Sequence, residues 1–268
     1  MENLNNSYLF YVDRKEAKAR DILHVKDLLT NCFFEVSLYK NCGFNNAALH
    51  YERIFYCGGR IEVKCINTSA IVNLLSKEVS FDYELTEPKY EVSLLSTSKG
   101  LCCLGGWNIG ILKTCEWFSD SNPKWVRISP LNIANSGISC FFHYPMHIYI
   151  VGGFTSSVER LNLESTINQW ELLNVANSSS RLFGCCFLLN HEEALIFGGD
   201  NTPKSFMVFN IKNLQFQKMV QSFSDHKSFY SSKPIYYSGF IWIVYETNKK
   251  IYQIEPTTLE FQEKDTDF

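Results

Sequence analysis

The side chains best suited to chemistry in this sequence are Cys140, His143 and His147, a Cys-x-x-His-x-x-x-His group of the types that ligate zinc. The stretch from Gly137 to Phe154 that carries them has the pattern of a strand, a turn at Pro145 and a second strand. Polar residues at a strand turn therefore explain the group better than a metal does. His191-Glu192-Glu193 is also a turn between strands and lacks the second histidine of a zinc-protease helix. The remaining histidines, His24, His50 and His226, form no further close cluster of the kind copper would need. There is no Gly-rich phosphate loop, no Gly-x-Ser-x-Gly elbow and no carboxylate pair in a recognisable frame. Ten cysteines are present but no Cys-x-x-Cys. The adjacent pairs Cys102-Cys103 and Cys185-Cys186 would point to opposite faces of a strand, so they are expected to be small apolar strand residues. A non-enzyme without metal or cofactor is the expectation.

The elements that position these residues follow from a repeat. The runs Ile54–Cys57, Leu101–Leu104, Ile148–Val151 and Leu195–Phe197 end in Gly58-Gly59, Gly105-Gly106, Gly152-Gly153 and Gly198-Gly199, on steps of 47, 47 and 46 residues. The same step reaches Tyr11 after Tyr8-Leu9-Phe10 and Val244 after Ile241-Trp242-Ile243, which keep the strand without the glycines. Six repeats result, centred on 11, 58, 105, 152, 198 and 244. Each also has an aromatic residue some way past the glycine position: Phe34, Phe81, Trp125, Trp170, Phe216 and Phe261. Alternating runs with turn residues between them give four short strands per repeat, the blade of a β-propeller. The aromatic residues are expected to pack between blades. The expected fold is all-β: one six-bladed propeller domain spanning residues 1–268, with four antiparallel strands per blade. Tyr8 begins the second strand of the first repeat, and six repeats of this period would occupy about 279 residues against 268 in the chain. Blade one is therefore expected to lack its innermost strand, with a terminal segment or a partner covering the edge.

A hydrophobic run, Gly-Gly, an alternating strand and then Trp resembles the kelch repeat. Gly105-Gly106 with Trp125 and Gly152-Gly153 with Trp170 carry the resemblance best, and Arg181 stands where that pattern often has an arginine. The resemblance covers nearly the whole chain, from about Tyr8 to Phe261. It implies a kelch propeller without an accompanying BTB or F-box domain. It also implies an alternative, because kelch architectures include a copper oxidase, sugar epimerases and iron-dependent specifier proteins. That alternative is a small sugar-processing or metal-dependent enzyme with its site at the propeller axis.

Composition narrows the partners. The formal net charge of −3 gives no general attraction to nucleic acid or anionic membrane, and neither is expected as a partner. No apolar run is long enough for a membrane helix, and the polar Met1–Asn6 segment is not a secretory signal. A reducing, cytoplasmic setting is expected, cytoskeletal association included. The expected function is a protein–protein interaction module or scaffold subunit that recognises a protein partner through loops held on a rigid frame. The loops after the second strands supply Arg60, Trp107, Phe154, Asp200 and Asn201 as binding candidates. The links between blades add Asn135, Ser180, Arg181, Asp225 and His226.

Overall fold

The computed structural model describes residues 7–13, 21–38, 46–200, 205–222, 232–245 and 249–264. Among them there are strands and turns but no helix, in six small antiparallel sheets and one further two-stranded hairpin. Blade one is β1 (Tyr8–Asp13), β2 (Ile22–Asp27) and β3 (Cys32–Ser37). Blade two is β4 (Asn46–His50), β5 (Arg53–Cys57), a small hairpin of β6 (Arg60–Ile61) and β7 (Lys64–Cys65), then β8 (Thr68–Asn73) and β9 (Val79–Glu84). Blade three is β10 (Ser93–Thr97), β11 (Gly100–Leu104), β12 (Cys115–Ser119) and β13 (Asn122–Ile128). Blade four is β14 (Ser139–His143), β15 (His147–Val151), β16 (Val158–Asn162) and β17 (Trp170–Leu172). Blade five is β18 (Leu182–Leu188), β19 (Glu193–Asp200), β20 (Ser205–Asn210) and β21 (Gln215–Ser222). Blade six is β22 (Ile235–Tyr237), β23 (Phe240–Tyr245), β24 (Lys250–Ile254) and β25 (Phe261–Lys264).

Strand alternation turns these sheets into a ring. Successive side chains of a strand face opposite neighbours, so each blade buries one set against the blade before it and the other against the blade after it. Phe10 and Val12 of β1 pack with Ile54, Tyr56 and Val72 of blade two. Leu9 and Tyr11 of the same strand pack with Ile235, Val244 and Ile251 of blade six. Equivalent apolar clusters fill the joints between blades two and three, three and four, four and five, and five and six. The ring is a six-bladed β-propeller closed by packing of blade one on blade six. The ion pair of Lys249 Nζ with Asp13 Oδ2, 3.3 Å apart, reinforces that closure.

Blade one has three strands among the described residues, and β1 aligns with the second strand of the other blades. The 1–6 segment, the N-terminal candidate for covering its inner edge, lies outside the described residues. Trp125 and Trp170 are buried between blades, and their indole N–H groups donate to Ser69 Oγ (3.1 Å) and to the Ser129 carbonyl (3.0 Å). Phe81 departs from its expected place and is exposed. The β8/β9 ladder jumps from Ser69↔Tyr83 to Ile71↔Ser80, leaving Phe81 and Asp82 opposite Ala70. That bulge turns Phe81 outward, and Tyr83 packs into the joint instead. The cysteine pairs divide as alternation requires: Cys103 faces blade two while Cys102 faces blade four, and Cys185 and Cys186 also separate.

Candidate functional site

The loops after the second strands and the links between blades share one end of the propeller. The glycine pairs shape this end by letting the links approach closely. At Gly58 (φ 69°) a Cβ would sit 2.3 Å from the Lys89 carbonyl oxygen, and at Gly105 (φ 58°) it would sit 2.3 Å from that of Asn135. No L side chain fits there. In these two pairs the second glycine then donates its N–H to that same carbonyl, Gly59 to Lys89 at 2.8 Å and Gly106 to Asn135 at 2.9 Å.

On this frame, three successive loops touch in a row. Arg60 of β6 lies over the Tyr90 ring, 5.1 Å from its centroid. Tyr90 and Trp107 exchange backbone hydrogen bonds of 2.9 and 2.7 Å, which ties the link before blade three to the loop inside it. The Trp107 indole meets Phe154 of blade four edge-on at 6.3 Å. Rising from this row, Val63 is 92% exposed, Ile109 99% and Phe154 51%. Beside it, the Ser136 hydroxyl donates to Glu91 Oε2 at 3.0 Å. Burial raises the Glu91 pKa above the ordinary value, with the Ser136 hydrogen bond and the Arg60 charge pulling the other way. Exposed apolar tips, one cation and one carboxylate therefore share this end of the propeller.

The other expected binding residues have different places. Arg181 is buried, 1% exposed, and its Nη1 donates to the Gly198 carbonyl at 3.1 Å, inside the joint between links and not on the loop surface. Asn135 is fully buried; its Nδ2 donates to the Gly152 carbonyl at 2.8 Å, and its Oδ1 accepts from Ser136 and Thr155 N–H. The Ser180 hydroxyl donates to the Gly153 carbonyl at 2.8 Å. Asp200 ends β19, half-buried. Asn201, Asp225 and His226 lie outside the described residues. At the opposite end of blade four, His143 and His147 are paired across a hairpin with ring centroids 6.3 Å apart. Cys140 points into the joint with blade three, away from the face His143 shares with Phe141. Among the described residues no three His, Cys, Asp or Glu side chains are grouped to hold a metal.

Sequence reasoning did not single out the exposed tips Val63 and Ile109, because each stands among other apolar residues of its loop, Ile61 and Ile66 beside the first and Ile111 and Leu112 beside the second. It also missed two repeat-equivalent buried carboxylates. Glu116 Oε2 accepts the Thr86 N–H at 2.6 Å, and Glu159 accepts from the N–H groups of Asn132 and Ile133 at 2.8 and 3.0 Å. Each pins a link between blades. No described helix is long and apolar enough to cross a membrane. No family model matches the chain, and no curated protein matches it either.

Proposed function

We propose that this propeller is a protein-interaction module of kelch type, and that it engages its partner with the loop end of blades two to four. The observation that carries the reading is the row of exposed apolar tips, Val63, Ile109 and Phe154, on three consecutive loops. Isolated apolar residues on a surface need no explanation, but three strongly exposed ones on neighbouring loops of one face are costly to leave in water. The loops that carry them are tied to one another: Arg60 lies on Tyr90, Tyr90 bonds Trp107 and Trp107 meets Phe154. Preordered loops lose little conformational freedom on binding. Arg60 and Glu91 at the margin would set register against a partner carrying both charge signs. The Gly-Gly exits and the buried tryptophans Trp125 and Trp170 support the kelch assignment.

The test is affinity capture of the full-length protein from its native cells, with cross-linking mass spectrometry, alongside a Val63→Ser/Ile109→Ser/Phe154→Ser variant. A stoichiometric partner cross-linked near these loops and lost in the folded variant supports the reading. A partner retained equally by the variant overturns this face as the interface.

A further inference from the structure

The opposite end of the propeller carries a second constellation, built by the joint between blades two and three. In β4, alternation sends Ala48 into that joint and places His50, two residues on, at its rim. In β10 the same rule sends Leu94 into the joint, beside Val92 from just before the strand, and leaves Ser96 above them, half-buried. Asp120, in the turn between β12 and β13, reaches across to the β4–β5 hairpin of blade two. His50 Nδ1 is 2.8 Å from Ser96 Oγ, and His50 Nε2 is 3.2 Å from Asp120 Oδ2. Arg53 ion-pairs with the other oxygen of the same carboxylate.

The partners assign the tautomer. A carboxylate can only accept, so Nε2 carries the proton, and Nδ1 presents its lone pair to the Ser96 hydroxyl. His50 is 1% exposed. Burial lowers its pKa, against the charge of Asp120, and favours the neutral imidazole a base requires. The backbone adds a donor. Leu94 N–H points away from β11, bonding Asn46 Oδ1 at 3.3 Å, and the Ser96 N–H two residues later faces the same open side.

We propose that Ser96, His50 and Asp120 form a nucleophile–base–positioning relay for acyl transfer to water, with uncharged carboxylic esters as the substrate class. In the step, Ser96 Oγ bonds to the ester carbonyl carbon while its proton passes to His50 Nδ1. The carbonyl–alkoxide bond breaks, and the leaving oxygen takes that proton and departs as the alcohol. Water then adds to the acyl-serine carbonyl, giving a proton to His50. The carbonyl–Oγ bond breaks, Ser96 recovers the proton, and a carboxylic acid leaves. The Ser96 N–H serves the developing oxyanion. Tyr51, exposed and with its ring 4.5 Å from that of His50, offers an apolar platform for the ester. Asp120 does not touch the ester; it positions His50, and Arg53 positions Asp120. This site does not depend on the loop-end interface.

The test uses the full-length protein with a fluorophosphonate probe, read by intact mass and peptide mapping, and p-nitrophenyl acetate hydrolysis. The expected result is one adduct on Ser96, lost in Ser96→Ala, with labelling slowed about 100-fold or more in Asp120→Asn and His50→Gln. No adduct on Ser96 in the folded protein, or equal labelling of folded Asp120→Asn, overturns the proposal. Because His50 is buried, a second variant keeps the test open if the histidine variant fails to fold. In Ser96→Cys with His50 intact, alkylation by iodoacetamide is expected to titrate below pH 7. Titration at the ordinary thiol value of about 8.5 or above overturns the relay.

Discussion

Lys89 Nζ lies 2.7 Å from Glu116 Oε1, and neither side chain has any exposure to solvent. The pair joins the link before blade three to β12, the third strand of that blade. The same link gives its Lys89 carbonyl to Gly59 and its Thr86 N–H to Glu116. A buried pair is costly to assemble and more costly to halve, because the survivor is left charged without a partner. Lys89→Met or Glu116→Gln is expected to destabilise by about 3–5 kcal/mol, whereas Lys89→Met/Glu116→Gln, which keeps an acceptor for the Thr86 N–H, recovers most of the loss. Urea unfolding of the three variants checks this; a double variant no more stable than the singles contradicts it.

The glycine exits make a sharper contrast. Gly58→Ala and Gly105→Ala put a Cβ against a backbone carbonyl that is itself hydrogen-bonded, at φ values that L residues disfavour. Backbone strain alone costs about 1–3 kcal/mol, and the clash adds to it. Gly110→Ala, with nothing within 4 Å of the new carbon, is expected to change stability by less than about 0.5 kcal/mol. Thermal unfolding of the matched variants separates a conformational requirement from a general intolerance of change.

What could be read in advance followed from what repeats. The Gly-Gly period located the second strands of blades two to five, and its extension to Tyr11 placed Tyr8–Asp13 at the second-strand position of blade one, which has three strands among the described residues. Phe81 was misplaced because a single bulge opposite Ala70 reverses its facing, and no side chain announces that bulge. The Lys89–Glu116 pair and the His50–Ser96–Asp120 group escaped for a different reason. Their members are brought together only by the joint between blades; Ser96 and Asp120 stand 46 and 70 residues from His50. Short-range motifs cannot contain them. Comparing chemically active residues across neighbouring repeats would have paired His50 with Ser96.

Cysteine reactivity should follow the same burial. The described cysteines are free thiols, and Cys32 alone among them is exposed. Burial pushes the Cys57 and Cys115 thiols up to about 12 and raises Cys102 and Cys103 well above their usual range. A brief iodoacetamide pulse at pH 8, mapped by peptide mass, is expected to label Cys32 and spare Cys57, Cys102, Cys103 and Cys115. Comparable labelling of Cys102 in the folded protein would show that the joint between blades three and four opens readily.

Stability should also fall in mild acid, and His50 supplies a defined share. Burial lowers its folded-state pKa below the ordinary 6.5, and burial with the Arg160 and His143 charges lowers that of His147. Between the lowered folded value and 6.5, the unfolded chain holds more protons than the folded one, so stability rises with pH across that window. The contribution is fully present above pH 6.5 and is lost as pH falls through the folded values. Urea unfolding from pH 8 to pH 5 is expected to show this decline, and His50→Gln to reduce its slope while lowering stability at pH 8 through loss of the Ser96 and Asp120 contacts. A slope unchanged in His50→Gln would mean that His50 is protonated equally in both states, and that its burial at the rim is relieved by water.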